Sequence, residues 1–235
     1  MVRKLVADLD GDNFDKQTLA DKVLDKLMDW IMEGKIVMGQ KLNTDQLAQQ
    51  LSVSRMPVRD AIKELEKKGL IENIPYKGAS LVNLSSDDVF QMYLLRSLIE
   101  PEICWYACKN ASDEEIEYVG KVLDAFNKEL EGNISAVQIF QYNRQFHFSL
   151  FDTSHMDKLI EVANRIWDNL AFCKLIYGQR YVMDDAMRQR QSIEHGQYYN
   201  LFKNRKADEL KALVKKNLEN FEEIMPKMVT DIKEK

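Results

Sequence analysis

At 235 residues the chain is long for one small domain and comfortable for two, and its net charge of −5 leaves no chain-wide basic face. Its 45% apolar and 30% charged residues, with only nine glycines and four prolines, exclude a low-complexity chain and favour a helical globular protein. No apolar run nears the ~18 residues of a membrane span, and no apolar stretch follows Met1–Leu5 as a secretory leader requires, so a cytoplasmic protein with no membrane partner is expected.

Residues 1–17 read as a polar arm without periodicity. Thr18 is placed to cap a helix whose Leu19, Val23, Leu24, Leu27, Trp30 and Ile31 share one face, with Gly34 at its end. After a turn marked by Gly39 and Asn43, Thr44 is expected to cap a short helix from Asp45 to Leu51, with Leu47, Ala48 and Leu51 inward. Ser54 then caps a third helix that runs to about Lys68 and is closed by Gly69. Two short apolar runs, 70–74 and 79–82, flank Pro75-Tyr76-Lys77-Gly78, a turn composition that predicts a small hairpin. Three helices followed by a basic-tipped hairpin make a winged helix-turn-helix over residues 18–83. The polar stretch 84–88 serves as linker and caps the next helix.

From residue 89 to residue 235 the periodicity is helical throughout. The predicted segments are about 87–110 (bent near Pro101), 112–132, 135–152, 156–177, 184–204 and 206–232. Six helices with short connections predict a compact antiparallel bundle. The fold class is therefore mainly α, a winged helix-turn-helix with a β-hairpin wing followed by an all-α bundle of about six helices. Cys104, Cys108 and Cys173 are odd in number and lie in apolar helical stretches, which favours buried reduced thiols over metal or redox chemistry.

Charge is unevenly spread. Residues 84–235 carry a net −5, whereas residues 15–83 carry a net +1 and gather Arg55, Arg59, Lys63, Lys67, Lys68 and Lys77 in a short stretch. Local clustering decides a phosphate contact, because salt screens charges beyond about 8–10 Å. A short helix, a tight turn and a capped helix put Arg55, Met56 and Arg59 on the leading turns of the third helix, the part that enters the major groove in a helix-turn-helix. Arginines there fork onto guanine edges or hold phosphate oxygens, and Ser54 donates to phosphate. Lys77 and Gly78 stand at the hairpin tip, where a wing approaches the DNA backbone. Each arginine alone would read as an ordinary solvated face; the arrangement as a whole favours double-stranded DNA.

The run Ser54-Arg55-Met56-Pro57-Val58-Arg59-Asp60-Ala61, followed by Leu65 and Gly69-Leu70, closely resembles the DNA-binding signature of the GntR family of regulators. Tyr93-Leu94-Leu95-Arg96-Ser97-Leu98-Ile99-Glu100 resembles the opening helix of its FadR-like subgroup, whose second domain is the FCD domain. The likeness covers about residues 18–225, with Met56 where threonine is common. It implies a homodimer on a two-fold-symmetric operator, use as a repressor, and a small-molecule effector that changes DNA affinity.

The resemblance also implies where an effector site lies. Subgroup members with a metal in the bundle use an Asp-x3-His pair and one histidine on each of two later helices. The matching positions here are Asn143 and His147, then His195, then Asn217. A complete three-histidine and carboxylate set suits zinc, nickel or iron. With two of the four ligands replaced by neutral amides, the alternatives are a weakly held divalent transition metal or a metal-free polar pocket. A small organic acid is the effector class implied, and its carboxylate needs a charge-assisted partner. Arg96, Arg144, Arg165 and Arg188 are the arginines available. Tyr142, Phe146, Trp167, Phe172 and Tyr177 recur at helical spacing, a stripe read as core before ligand box. His155 has no partner by spacing.

An enzyme using His147 and His195 for metal-assisted or acid-base chemistry is the competing class. The chain has no Gly-rich phosphate loop, nucleophile elbow or HExxH motif, and an enzyme has no need of the recognition-helix arginines. A purely architectural DNA-binding dimer is a third reading, disfavoured because polar groups buried in a bundle without purpose cost stability.

Overall fold

A computed structural model describes residues 18–32, 35–74, 78–132, 134–177 and 185–233, so the arm, Gly34 and Lys77 lie outside the described residues. The chain divides after Leu81 into two compact units.

The first unit holds α1 (Leu19–Met32), α2 (Thr44–Gln50), α3 (Arg55–Lys67), β1 (Ile71–Ile74) and β2 (Gly78–Leu81). Thr18 opens α1 as expected: its hydroxyl accepts from the Asp21 N–H at 3.1 Å, while its own N–H donates to the Asp21 carboxylate at 2.9 Å. Val23, Leu27 and Ile31 are buried together with Met28, and α1 packs on α3. Leu19 is exposed, so the apolar face is narrower than the periodicity suggests. The cap of α2 differs from expectation. Asn43, not Thr44, supplies it, because its side-chain oxygen accepts from the N–H groups of Asp45 (2.9 Å) and Gln46 (3.2 Å). Ser54 does occupy the N-cap position of α3, but its hydroxyl makes no capping bond.

At the other end of α3, Gly69 takes φ +70°, a left-handed turn open to glycine at little cost, and Leu70 N–H reaches back to the Leu65 carbonyl at 2.9 Å. The chain then enters an antiparallel hairpin, with Ile71 opposite Leu81 and Ile74 opposite Gly78. Gly39 and Leu42 donate to the Leu81 and Ala79 carbonyls, at 2.9 and 2.8 Å, and tie the segment before α2 to the free edge of β2.

The second unit is helical throughout its described residues: α4 (Ser86–Asn110), α5 (Asp113–Leu130), α6 (Ala136–Asp152), α7 (Asp157–Asn169), α8 (Ala171–Tyr177), α9 (Asp185–Lys203) and α10 (Ala207–Lys233). Three of these helices start alike. Ser85 with Asp88, Ser112 with Glu115 and Ser135 with Gln138 form reciprocal capping boxes, each satisfying two otherwise orphaned N–H groups. The long α10 lies along α4, while α5 packs on α6 and α9. Trp167, Phe126, Phe146, Phe151 and Phe202 are fully buried. Pro101 sits buried inside α4, and its missing N–H leaves the Ser97 carbonyl without its usual helical donor.

Segment 156–177 is two helices and not one, which makes seven among the described residues of this unit. The Leu170 N–H closes α7 on the carbonyls of Ile166 and Asp168, and α8 restarts at Ala171. The apolar pattern continues across the break, through buried Trp167, Leu170, Ala171 and Cys173, and no proline or glycine marks it. Cys104, Cys108 and Cys173 are buried thiols; burial pushes the Cys108 thiol up to about 11 and the Cys104 thiol well above its usual range. Among the described residues no helix is long and apolar enough to cross a membrane.

Candidate functional site

Two places carry chemistry, one in each unit. On α3, Pro57, Val58, Ala61, Ile62 and Leu65 are buried, which turns Arg55, Met56 and Arg59 outward on the first two turns. Met56 is 64% exposed, a large apolar side chain held in solvent by its place on the helix. Ser54 and Gly78 are exposed as well. Arg55 Nε lies 2.7 Å from Asp45 Oδ1 on α2, both side chains being more than half exposed. Such a surface pair is worth ~0–1 kcal/mol, so it orients the guanidinium without locking it away from another acceptor.

The second place is a cavity of about 410 Å³ within the helical unit. It gathers all five residues singled out there from the sequence: Arg96 from α4, Asn143 and His147 from α6, His195 from α9 and Asn217 from α10. The i, i+4 spacing puts Asn143 and His147 on one face of α6, as expected. Tyr93, Glu100, Trp167, Lys174, Gln191 and Tyr198 join them in the lining.

Its polar groups are largely committed to one another. Arg96 donates through Nε to Glu100 Oε1 and through Nη2 to Oε2, and Trp167 Nε1 adds a third donor to Glu100 Oε1 at 2.7 Å. Burial alone would depress the Arg96 guanidinium, but the adjacent Glu100 carboxylate outweighs it and holds the charge. The guanidinium also lies over the rings of Tyr93 and Trp167, at 4.9 and 4.7 Å from their centroids. Gln191 Nε2 donates to Asn143 Oδ1 at 3.3 Å, and Asn217 Nδ2 donates to the Tyr198 hydroxyl at 3.0 Å. Burial raises the Tyr198 phenol well above its usual range.

His147 and His195 face each other with Nε2 atoms 3.2 Å apart, so one donates and the other accepts. Both are held neutral. Burial pushes His195 down to about 3, assisted by Lys174; it pushes His147 well down too, with His195, Lys174 and Arg96 adding to the effect. On the far side of its ring, His195 Nδ1 is buried without a partner.

The donor set fits a divalent metal poorly. The spacing of the two Nε2 atoms would admit one ion held by both at ~2.0–2.1 Å, but the cavity does not complete a coordination sphere. Among the described residues no group of three His, Cys, Asp or Glu is placed to hold a metal. The amides at 143 and 217 bring no charge, and the Asn143 oxygen already accepts from Gln191. The positive charges of Lys174 and Arg96 act directly on the imidazoles, a field that opposes a divalent cation.

Of the four arginines considered for a carboxylate, only Arg96 lines the cavity. Arg144 is spent on Asn164 and Asp168, each at 2.7 Å, and Arg165 pairs with Glu161 at the surface. Arg188 donates to the Gly132 carbonyl at 3.1 Å. In the aromatic stripe, Phe146 and Trp167 are core, Tyr142 stacks on Phe126 at 6.0 Å, and the side chains of Phe172 and Tyr177 lie outside the described residues. His155 is exposed, 3.5 Å from Glu115, a partner forty residues away that spacing does not reveal.

Gln191, Tyr198 and Lys174 went unrecognised in the sequence. The first two stand four before and three after His195 on α9, so the helical period alone would have placed them on its face. Nothing local signals Lys174.

Comparison with known proteins adds an independent line. The family model for bacterial regulatory proteins of the gntR family matches residues 19–81, and that for the FCD domain matches residues 91–220. The chain is 29% identical over 198 residues to the Nta operon transcriptional regulator of Aminobacter aminovorans, covering 83% of this chain and 90% of that protein. It is 24% identical over 178 residues to a probable D-xylose utilization operon transcriptional repressor of Paenarthrobacter nicotinovorans, covering 76% and 78%. The solved structure of Escherichia coli McbR/YncC shares the fold with a TM-score of 0.64 at 18% identity, over 91% of this chain and 99% of that one.

Proposed function

The chain belongs to the gntR-family regulators that carry an FCD domain, so it is a transcription regulator and not an enzyme; we propose that it acts as a homodimeric repressor whose hold on a two-fold-symmetric operator changes when a small organic acid fills the FCD cavity. The observation that carries the reading is the outward set of Arg55, Met56 and Arg59 on an α3 whose opposite face is buried. Such a helix lies in the major groove with its N-terminal residues at the base edges. Arg55 and Arg59 are the donors for guanine O6 and N7 or for phosphate, Ser54 keeps a free hydroxyl for phosphate, and Lys77 and Gly78 at the wing approach the backbone.

A second copy is supported by α4. Phe90, Leu94 and Leu98, spaced i, i+4, i+8, are exposed together with Leu95, a contiguous apolar stripe of the kind that marks a protein interface. Two copies would present two recognition helices to half-sites about 34 Å apart. The cytoplasm is where such a DNA partner is met.

The test uses duplexes enriched from a random library by the full-length chain. R55A/R59A should abolish specific binding while the protein stays folded and sediments as the parent does. Specific binding that survives in this variant would assign recognition to another element.

A further inference from the structure

We propose that the FCD cavity takes a small monocarboxylate with an apolar body, without a metal, and that the carboxylate docks on Lys174. This rests on the reading of the second domain as the effector-binding one. It departs from the metal-held acid that the family likeness implies.

Charge balance leads to Lys174. Five formally charged side chains line the cavity: Arg96, Glu100, Lys174, Arg190 and Glu194. Four of them are paired with each other. Arg96 and Glu100 form the bidentate contact already described, and Arg190 Nε lies 3.1 Å from Glu194 Oε1 one turn away. Lys174 is the remaining one. Its ammonium sits over the Trp167 ring, 2.8 Å from the centroid, and makes no hydrogen bond or salt bridge among the described residues. Glu100, the carboxylate whose charge acts on Lys174, already accepts from Arg96 and Trp167. With both histidines neutral, Lys174 is the one cationic side chain of the lining without a counter-ion among the described residues. Burial, with Arg96 and Arg144 adding and Glu100 opposing, pushes its ammonium well down, so one bound carboxylate would supply the partner that holds its proton.

The rest of the lining matches a ligand that is mostly apolar with one further polar group. Ile139, Val214, Leu218 and Phe221 supply the apolar wall. Among the described residues, His195 Nδ1 and Gln191 Oε1 are both buried without a hydrogen-bond partner. Exchanging the oxygen and nitrogen of the Gln191 and Asn143 amides would only move the orphan to the other Gln191 atom, so either orientation leaves Gln191 one bond short. Buried polar groups without partners are costly, and a ligand in the cavity would satisfy them. At about 410 Å³ the space lies toward the small end of the ~300–1,000 Å³ usual for small-molecule sites.

The experiment is calorimetric titration of the full-length chain, kept in EDTA, with benzoate, phenylacetate and octanoate, each compared with its uncharged primary amide. At least one acid should bind, and its amide should bind roughly tenfold or more weakly, the loss expected for one charge-assisted hydrogen bond. K174M should weaken the acid by a similar factor and melt no lower than the parent, because it removes an unpaired charge; K174Q repeats the test should K174M not fold. R165M, which removes a surface charge paired with Glu161 outside the cavity, serves as the control and should leave affinity within about threefold. Binding undiminished in the Lys174 variants, amide and acid binding alike, binding only once zinc is added, or no binding by any of the three acids would each overturn the proposal. Operator binding by the same preparations separates the two readings. Intact DNA binding with no acid bound sinks only the Lys174 assignment, whereas loss of DNA binding in the parent chain sinks the regulator.

Discussion

The Arg96–Glu100 pair is the most consequential side-chain contact in the helical domain. Both partners are almost fully removed from solvent, at 6% and 2% side-chain exposure, and Trp167 donates to the same carboxylate. Breaking such a pair from one side strands a charge, so E100Q should cost about 3–5 kcal/mol, read from urea denaturation. The double variant R96M/E100Q should recover much of that, since neither charge remains; equal losses in single and double variants would mean that the pair is not the source. The neighbouring imidazoles make a pH prediction. His195, near 3 when folded, binds fewer protons than the unfolded chain between pH 3 and its ordinary value of about 6.5, and His147 is shifted the same way. Stability from these groups is therefore complete above about pH 6.5 and falls as pH drops, by up to about 1.4 kcal/mol per pH unit for each histidine. H195Q should flatten the decline measured between pH 7 and 5; an unchanged slope would show that this imidazole takes up its proton in the folded protein as it does in the unfolded chain. The sequence was informative here only in part. His147, His195 and the two amides stood out through the family pattern, and their convergence follows from helical period. Glu100 and Trp167, sixty-seven residues apart, meet through packing that no local signal encodes.

Helix starts were legible wherever the capping chemistry was complete. Thr18-x-x-Asp21, Ser85-x-x-Asp88 and Ser112-x-x-Glu115 each state in four residues what the backbone does, because the side chains satisfy N–H groups that the helix leaves open. Where two polar residues compete for the same role, sequence alone does not choose. Asn43 and Thr44 are both good caps, and Asn43 wins by accepting from two successive N–H groups. N43A should therefore cost about 1 kcal/mol in thermal or urea unfolding, whereas T44A should stay within about 0.5 kcal/mol of the parent. The reverse order would restore Thr44 as the cap. The α7–α8 break is the opposite case. Its residues keep the apolar rhythm of one continuous helix, and the interruption at Leu170 serves the packing of a buried run rather than any turn-forming residue. That break matters to the cavity, because it begins the short helix from which Lys174 enters the lining.

For the molecule as a whole, the question is whether acid and operator are felt by one equilibrium. The order of the two domains was readable from the switch in composition after the hairpin, and each domain's fold from its own periodicity. How one domain's ligand alters the other's affinity is a property of the assembled protein, and thermodynamics constrains it without a geometric pathway. If an acid in the FCD cavity changes operator affinity by some factor, operator must change acid affinity by the same factor. Couplings of about 1–3 kcal/mol correspond to roughly 5–150-fold. The measurement is a closed cycle: operator Kd with and without saturating benzoate, phenylacetate or octanoate, whichever binds, and acid Kd with and without saturating operator duplex. K174M should leave the acid-free operator Kd unchanged and abolish the acid-induced shift, since it removes ligand contact and not DNA contact. R55A/R59A should do the converse, binding acid with the parent's DNA-free affinity while showing no response to duplex. If α4 forms the proposed homodimer seam, L94D/L98D should sediment as a monomer and weaken operator binding, because each half-site would then be bound alone. Unequal factors around the cycle would mean that acid or duplex is also changing the oligomeric state, and repeating the cycle across protein concentrations would expose that linkage as a concentration dependence.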